Sequence, residues 1–138
     1  MKSAKASADA VGAEFEYDEG IVYAERNNNV TLAKLFKQNF EELGEMVESP
    51  QKRGGVGSSD IGNVGQITAT IHPYIKITSE NITNHNPEFT EIASGESARL
   101  GMITAAKAMA LTVHDLCTKD GVMDAVRAEF EEWKINKE

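Results

Sequence analysis

The stretch SARLGMITAAKAMALTVHDLCT, residues 97 to 118, restricts the possible folds more than any other part of this sequence. It has the length and composition of a long helix, and apolar residues occur almost all the way around it. Such a helix has to be covered on most of its surface, and a β-sheet is the usual cover in a mixed fold. The stretch therefore predicts a helix over residues 98–116, packed on a sheet, with Met102, Ile103 and Leu111 buried.

Two other stretches have the pattern of β-strands. In residues 14–24, EFEYDEGIVYA, aromatic and acidic residues alternate at first, as in a strand with one wet face. Residues 66–78, QITATIHPYIKIT, are β-branched and apolar, with Pro73 at an interruption or an edge, and we place residues 75–78 in a central strand. The sequence therefore predicts an α/β fold with a partial sheet. Because two strands make only a marginal sheet, either strands escape recognition or the chain is part of a larger domain.

The remaining helices are predicted from periodicity and capping residues. Residues 2–11 are rich in alanine and stop at Gly12. A helix over residues 30–47 follows Asn29 as a plausible N-cap, and a last helix covers about residues 120–134. A short helical turn starting at Asp60 is possible on the same grounds, whereas residues 79–97 are polar and predicted to be irregular.

Composition excludes several classes of protein. The 14 basic and 22 acidic residues give a net charge of -8, which argues against a partner that is nucleic acid or an anionic membrane. The single cysteine, Cys117, excludes an internal disulfide framework and a CxxC metal site. There is no apolar stretch long enough to span a membrane and no secretory signal pattern, so we expect a cytoplasmic protein.

The residues that could carry chemistry give weak signals one at a time. His114 has the setting of an ordinary helix histidine, and His72 in the predicted strand is more readily structural than functional. His85 differs because it lies in a polar loop, TNHNPEF, with no apolar face to bury it. A metal site there would need further ligands from elsewhere in the chain. The glycine-rich GGVGSSD loop lacks the spacing of a phosphate-binding loop and of a serine nucleophile elbow.

Taken in order, the motifs resemble a known family. The stretches GSSDIGNVGQITATIHPYIKI, NHNPEFTEIASGES and AAKAMALTVHDL resemble the C-terminal part of the amidohydrolases of metallopeptidase family twenty. That family includes aminoacylases, p-aminobenzoyl-glutamate hydrolases and auxin-conjugate hydrolases. Upstream, GAEFEYDEGIVYAERNNNVTLAKLFKQNFEELG is similar to the family's last lid strand and the helix that follows it.

The resemblance implies a particular division of the chain. Residues 1–24 would be the end of a lid or dimerisation domain, comprising a helix tail and its last strand. Residues 25–138 would be the C-terminal part of a zinc-peptidase-like catalytic domain. Family members are much longer, so the resemblance implies a fragment whose missing strands lie upstream.

The resemblance also assigns candidate site residues. Family enzymes use two divalent ions, usually zinc, to polarise an amide carbonyl and activate water. His85 matches the final metal ligand, while the other ligands and the glutamate base have no counterpart here. Ser58, Ser59, Asp60 and Asn63 would form a loop beside the active site, and His72 would lie near it as a support or a substrate contact. We expect His85 and Asp60 on the same rim.

Three interpretations follow. The first is the C-terminal segment of a metal-dependent amidohydrolase or peptidase acting on N-acyl amino acids or small peptides, inactive alone and associated with the missing N-terminal half or with itself as a homo-oligomer. The second is a stand-alone, non-enzymatic binding or oligomerisation domain of the same descent. The third is an unrelated acidic α/β binding module.

Overall fold

The computed structural model of this protein describes residues 1–47 and 59–137. Six helices follow one another in this part of the chain: α1 (Lys2–Val11), α2 (Val30–Glu42), α3 (Ile61–Gly65), α4 (Pro87–Ala93), α5 (Glu96–Thr118) and α6 (Val122–Lys137). No helix among the described residues is both long enough and apolar enough to cross a bilayer. The predicted helices at 2–11, 98–116 and 120–134 are confirmed as helices.

The predicted α/β fold is wrong for the part of the chain that is described, because it contains no sheet. The only β-type pairing among these residues is an isolated parallel bridge between Asn28 and Thr70. Residues 14–24 are not a strand, and most of residues 66–78, including the proposed central strand at 75–78, run without regular structure. A strand exists only when a neighbour pairs with its backbone, and the described residues supply no such neighbour.

The predicted packing of the long helix is wrong for the same reason. Helix α5 forms, but Met102 is 60%, Ile103 40% and Leu111 36% exposed instead of buried against a sheet. Its other face packs on α2 and α6, and α4 lies beside it. The apolar pattern therefore predicted the helix correctly and its surroundings incorrectly.

A three-helix core holds the molecule together. Leu35 and Phe40 of α2, Ala108 of α5, and Val126 and Phe130 of α6 are its buried apolar side chains. A polar pair crosses the same interface, where the Asn39 amide donates to the Thr112 hydroxyl at 3.2 Å. Buried polar groups keep such partners because an unpaired one is costly.

The start of α2 is fixed by a residue 97 positions away in the sequence. Asn29, which is 2% exposed, accepts a hydrogen bond from the Leu32 N–H at 2.8 Å and donates one to the Val126 carbonyl at 3.0 Å. The predicted N-cap is thus confirmed, and it also joins α2 to α6. Helix α2 ends at Glu42 instead of residue 47, because Gly44 adopts a left-handed φ of 88° that stops the helix.

Helix α4 lies within the stretch predicted to be irregular. Asn86 caps it by accepting from the Phe89 N–H at 2.8 Å, and Pro87 occupies its first turn. An asparagine followed by proline is a recognised start of a helix, so the signal was present in the sequence.

Candidate functional site

Asn63 and the short helix α3 connect the predicted site loop to the rest of the molecule. Of the predicted site residues, Ser58 lies outside the described part of the chain. Ser59 is half-buried, and its hydroxyl donates to the Asp60 carboxylate at 3.3 Å while accepting from the Ile61 N–H. Asp60 is exposed at the N-terminus of α3, and its side chain makes no cap hydrogen bond to that helix. The serine and the acid therefore form a small polar turn that opens to solvent.

Asn63 uses both ends of its side-chain amide on the backbone of another segment. Its Oδ1 accepts from the Ala24 N–H at 2.9 Å, and its Nδ2 donates to the Val22 carbonyl at 3.1 Å. Asn63, predicted to lie beside the substrate, thus makes two hydrogen bonds to the backbone that the sequence did not indicate. Its assignment to the substrate side of the loop stays a prediction.

His72 occupies a half-buried position in the extended segment that follows α3. Its ring stacks on Tyr74, with the centroids 5.2 Å apart and the planes inclined by 21°. Its Nδ1 atom is buried and has no hydrogen-bond partner among the described residues. The aromatic stacking explains how the ring is held, and the assignment of His72 to the site stays a prediction.

His85 lies in the loop immediately before the cap of α4. The side chain is exposed, and the backbone takes a left-handed φ of 67°, which is uncommon for residues other than glycine, although histidine adopts it more often than most. The cap at Asn86 holds the following helix, so the histidine sits at a defined point of the loop. Its common rim with Asp60 stays a prediction.

The fit of these residues to zinc can be tested against the donor set. No group of three or more histidine, cysteine, aspartate or glutamate side chains with the geometry of a metal site occurs within residues 1–47 and 59–137. A catalytic zinc takes about three protein ligands. The described residues therefore do not fit a complete zinc centre, and His85 can supply at most one ligand to it.

The clearest electrostatic feature lies away from this loop, between α2 and α6. The Glu129 carboxylate accepts from the Thr31 N–H at 2.8 Å and from the Val30 N–H, which places a negative charge at the N-terminus of α2. Partial burial raises the pKa of Glu129, but these hydrogen bonds and nearby Lys34 outweigh it, so the pKa lies below its ordinary value. This contact ties α6 to the N-terminus of α2, which favours a structural role.

Asp115 of α5 is a buried carboxylate, 6% exposed. The Lys119 ammonium lies 2.9 Å from it and, with smaller contributions from Asn39 and His114, holds the pKa of Asp115 below its usual range against the opposing effect of burial. The ion pair joins Asp115 to Lys119, the residue that follows α5, and Asp115 also contacts Asn39 of α2. Its partners are all satisfied, which favours a structural role.

Comparison with known proteins identifies relatives among curated dipeptidases. No family model matches the chain. Two curated proteins called Xaa-Arg dipeptidase, from Mus musculus and Homo sapiens, are each 36% identical to it over 104 residues. The alignment covers 74% of this chain and 24% of each relative, so the chain spans about a quarter of the length of the curated relatives it matches.

Proposed function

Because the chain belongs to metallopeptidase family twenty, we propose that it is the C-terminal part of a metal-dependent amidohydrolase or peptidase. The observation that carries the proposal is the 36% identity over 104 residues. Hydrolysis of an amide bond is the reaction, with N-acyl amino acids and small peptides as the substrate class. The relatives' name makes dipeptides of the Xaa-Arg type the first substrates to test.

In this proposal the chain supplies one wall of the site. His85 provides a single metal ligand, and its exposed position leaves the ring free to meet ligands from another segment. Ser58, Ser59, Asp60 and Asn63 line the loop beside the substrate, and His72 supports it. Zinc is the expected metal, and it would supply the polarisation of the amide carbonyl when bound. Residues 1–24 belong to the end of the lid and residues 25–138 to the catalytic domain.

The uncovered surface of α5 supports an association with further polypeptide. Met102, Met109 and Val113 recur at helical spacing on one side of the helix and are 60%, 56% and 59% exposed. Contiguous exposed apolar surface marks an interaction site. We propose the missing N-terminal half as its main occupant, with homo-oligomerisation as the alternative contact and the cytoplasm as the compartment.

A second candidate function is a stand-alone binding or oligomerisation domain of the same descent. The observation in its favour is the three-helix core, in which α2, α5 and α6 pack together and bury Phe40, Ala108 and Phe130. A domain with its own core can persist without catalytic activity. Hydrolytic activity of this chain when it is joined to the remaining part of a related dipeptidase distinguishes the enzyme segment from the binding domain.

A chimera tests the proposal directly. This chain replaces the matching quarter of the mouse Xaa-Arg dipeptidase, and hydrolysis of Xaa-Arg dipeptides is measured with and without zinc. We expect metal-dependent turnover, and we expect His85→Ala to reduce it by at least about a hundredfold because a ligand is lost. His114→Ala is the matched control, since His114 is also an exposed histidine but lies on α5.

Two results would contradict the proposal. A soluble chimera that binds zinc but hydrolyses none of the substrates would favour the binding domain. Equal loss of activity in the His85→Ala and His114→Ala chimeras would remove His85 from the metal site.

A further inference from the structure

Side chains, instead of a neighbouring strand, hold the extended segment that leads into α2. The Asn63 amide bonds the Val22 carbonyl and the Ala24 N–H, at 3.1 and 2.9 Å. A strand would offer the same alternation of donor and acceptor to this backbone. Asn63 thus replaces one link of a β-ladder with a single side chain.

Two more side chains from the same stretch continue the pattern along the segment. Gln66 donates to the Glu25 carbonyl at 2.9 Å, and Thr70 donates to the Asn27 carbonyl at 3.4 Å. Together, Asn63, Gln66 and Thr70 form what we call the side-chain clamp. It ends where the backbone takes over, at the Asn28–Thr70 bridge.

The close approach of the two segments depends on Gly62. A Cβ at this position would lie 2.0 Å from the Ala24 carbonyl oxygen and 2.9 Å from its carbon, far inside contact distance. Both groups are backbone, so neither can turn aside. Glycine at 62 therefore permits the distance at which the Asn63 amide reaches residues 22 and 24.

The described part of the chain does little else to hold the segment before Glu25 in place. Tyr17, Ile21, Val22 and Tyr23 are 58%, 86%, 73% and 52% exposed, so apolar burial contributes little there. On the other side of the clamp, Asn63 lies in the helix that begins directly after Ser59 and Asp60. One side chain therefore connects the exposed segment to the predicted site loop.

We propose that Asn63 is a positioning residue that sets the orientation of residues 1–24 relative to the loop carrying Ser59 and Asp60. The inference rests on the proposed function for the meaning of that loop and of the boundary at residue 24. The lid-derived segment and the site wall then move as one unit because the Asn63 amide joins them. Gln66 and Thr70 extend the connection into the entry to α2.

Electron–electron distance measurement on the 138-residue chain tests the proposal. One spin label sits on the native exposed Cys117 of α5 and the other on Asp18→Cys in the exposed segment. We expect a narrow distance distribution with Asn63 and a broad one with Asn63→Ala. Asn81→Ala removes an exposed asparagine amide elsewhere and should leave the distribution narrow.

Amide hydrogen exchange and a conservative variant separate positioning from general stability. Asn63→Ala should speed exchange at the Ala24 N–H by about tenfold, while the Leu32 N–H in α2 stays protected. Asn63→Asp keeps an acceptor for the Ala24 N–H but loses the donor to the Val22 carbonyl. It should therefore restore exchange protection at Ala24, and its distance distribution should be intermediate in width between those of the unchanged chain and Asn63→Ala.

The proposal is overturned if Asn63→Ala leaves both the distance distribution and Ala24 exchange unchanged. It is also overturned if Asn63→Ala and Asn63→Asp lower the melting temperature and broaden the distribution equally, because the role would then be general stability. None of these readouts requires catalysis. If the chimera is inactive while Asn63→Ala still broadens the distance distribution and speeds exchange at Ala24, the proposed function alone is rejected.

Discussion

The two faces of α5 distribute their apolar side chains in the opposite way to an ordinary surface helix. The face against α2 and α6 buries small or polar residues, Ala108, Thr112 and Asp115. The face toward solvent carries the larger apolar side chains of Met102 and Met109. Because large apolar side chains normally lie inside, the comparison indicates a helix that needs cover on both sides and receives it here on one.

The covered side should account for most of the stability, and Phe130→Ala is its most severe test. Phe130 is 6% exposed, so its truncation leaves a cavity and should lower the free energy of unfolding by about 3–5 kcal/mol. Ile135→Ala on the same helix is the control, since Ile135 is 73% exposed and should change stability by less than about 0.5 kcal/mol. Chemical denaturation measures both, and equal losses would break the comparison.

Polar contacts on the covered side should matter less than the core but remain measurable. Asn29→Ala removes the cap of α2 and the hydrogen bond to the Val126 carbonyl, and should cost about 1–3 kcal/mol. Asn28→Ala, an exposed neighbour, should be close to neutral. If Asn29→Ala and Asn28→Ala unfold at the same urea midpoint, the stability of the α2–α6 contact does not depend on the Asn29 amide.

A smaller effect should appear as a pH dependence at the same junction. The pKa of Glu129 in the folded chain lies below its ordinary value of 4.5, so the ionised form is bound more favourably in the folded state. Its contribution is present above the unfolded pKa and is lost as the pH falls through the folded pKa. Glu129→Gln should therefore lower stability at pH 7 by about 1 kcal/mol and flatten the acid limb of the curve.

The control for this prediction is Glu132→Gln, an exposed carboxylate on the same helix. Its stability curve should follow that of the unchanged chain between pH 3 and pH 7. An acid limb that is equally steep with Glu129→Gln would assign the pH dependence to other carboxylates, of which Asp115 is the first candidate because its pKa is also lowered.

The uncovered face should give the smallest effect on folding and the clearest one on association. Met109→Ser should change the free energy of unfolding by less than about 0.5 kcal/mol, because the side chain is already 56% exposed. The same change should weaken self-association in sedimentation experiments, since it removes apolar contact surface. If Met109→Ser leaves self-association unchanged but greatly lowers the free energy of unfolding, the exposed face of α5 contributes to folding and not to association, which contradicts the comparison.

Local sequence signals predicted the helices well because they depend on neighbours in the chain. Asn29 as a cap and the apolar period of α6 are such signals, and both helices form. The sheet failed because residues 14–24 and 66–78 carry strand composition, while a strand also needs a pairing partner that no local pattern supplies. The exposure of Met102 and Met109 follows from the same missing partner.

The candidate site residues were chosen by residue type and by resemblance, and their tertiary contacts were not predicted. His85 was singled out by its polar loop, and the Asn63 contacts with residues 22 and 24 were missed because they join positions about 40 apart. Glycines at positions 62 and 65, on either side of Asn63, were the available sign of a close backbone approach. Contacts of this kind depend on the tertiary arrangement, which sequence spacing does not encode.

Zinc titration of the pure 138-residue chain by calorimetry, followed by an assay with Xaa-Arg dipeptides, p-aminobenzoyl-glutamate and N-acetyl amino acids, tests the central claim most directly. The chain should bind zinc weakly, without a two-ion stoichiometry, and should show no turnover, because the proposal assigns it one ligand, His85, where about three are needed. Stoichiometric binding of two zinc ions together with metal-dependent hydrolysis would show that the chain is a complete enzyme and would contradict the account.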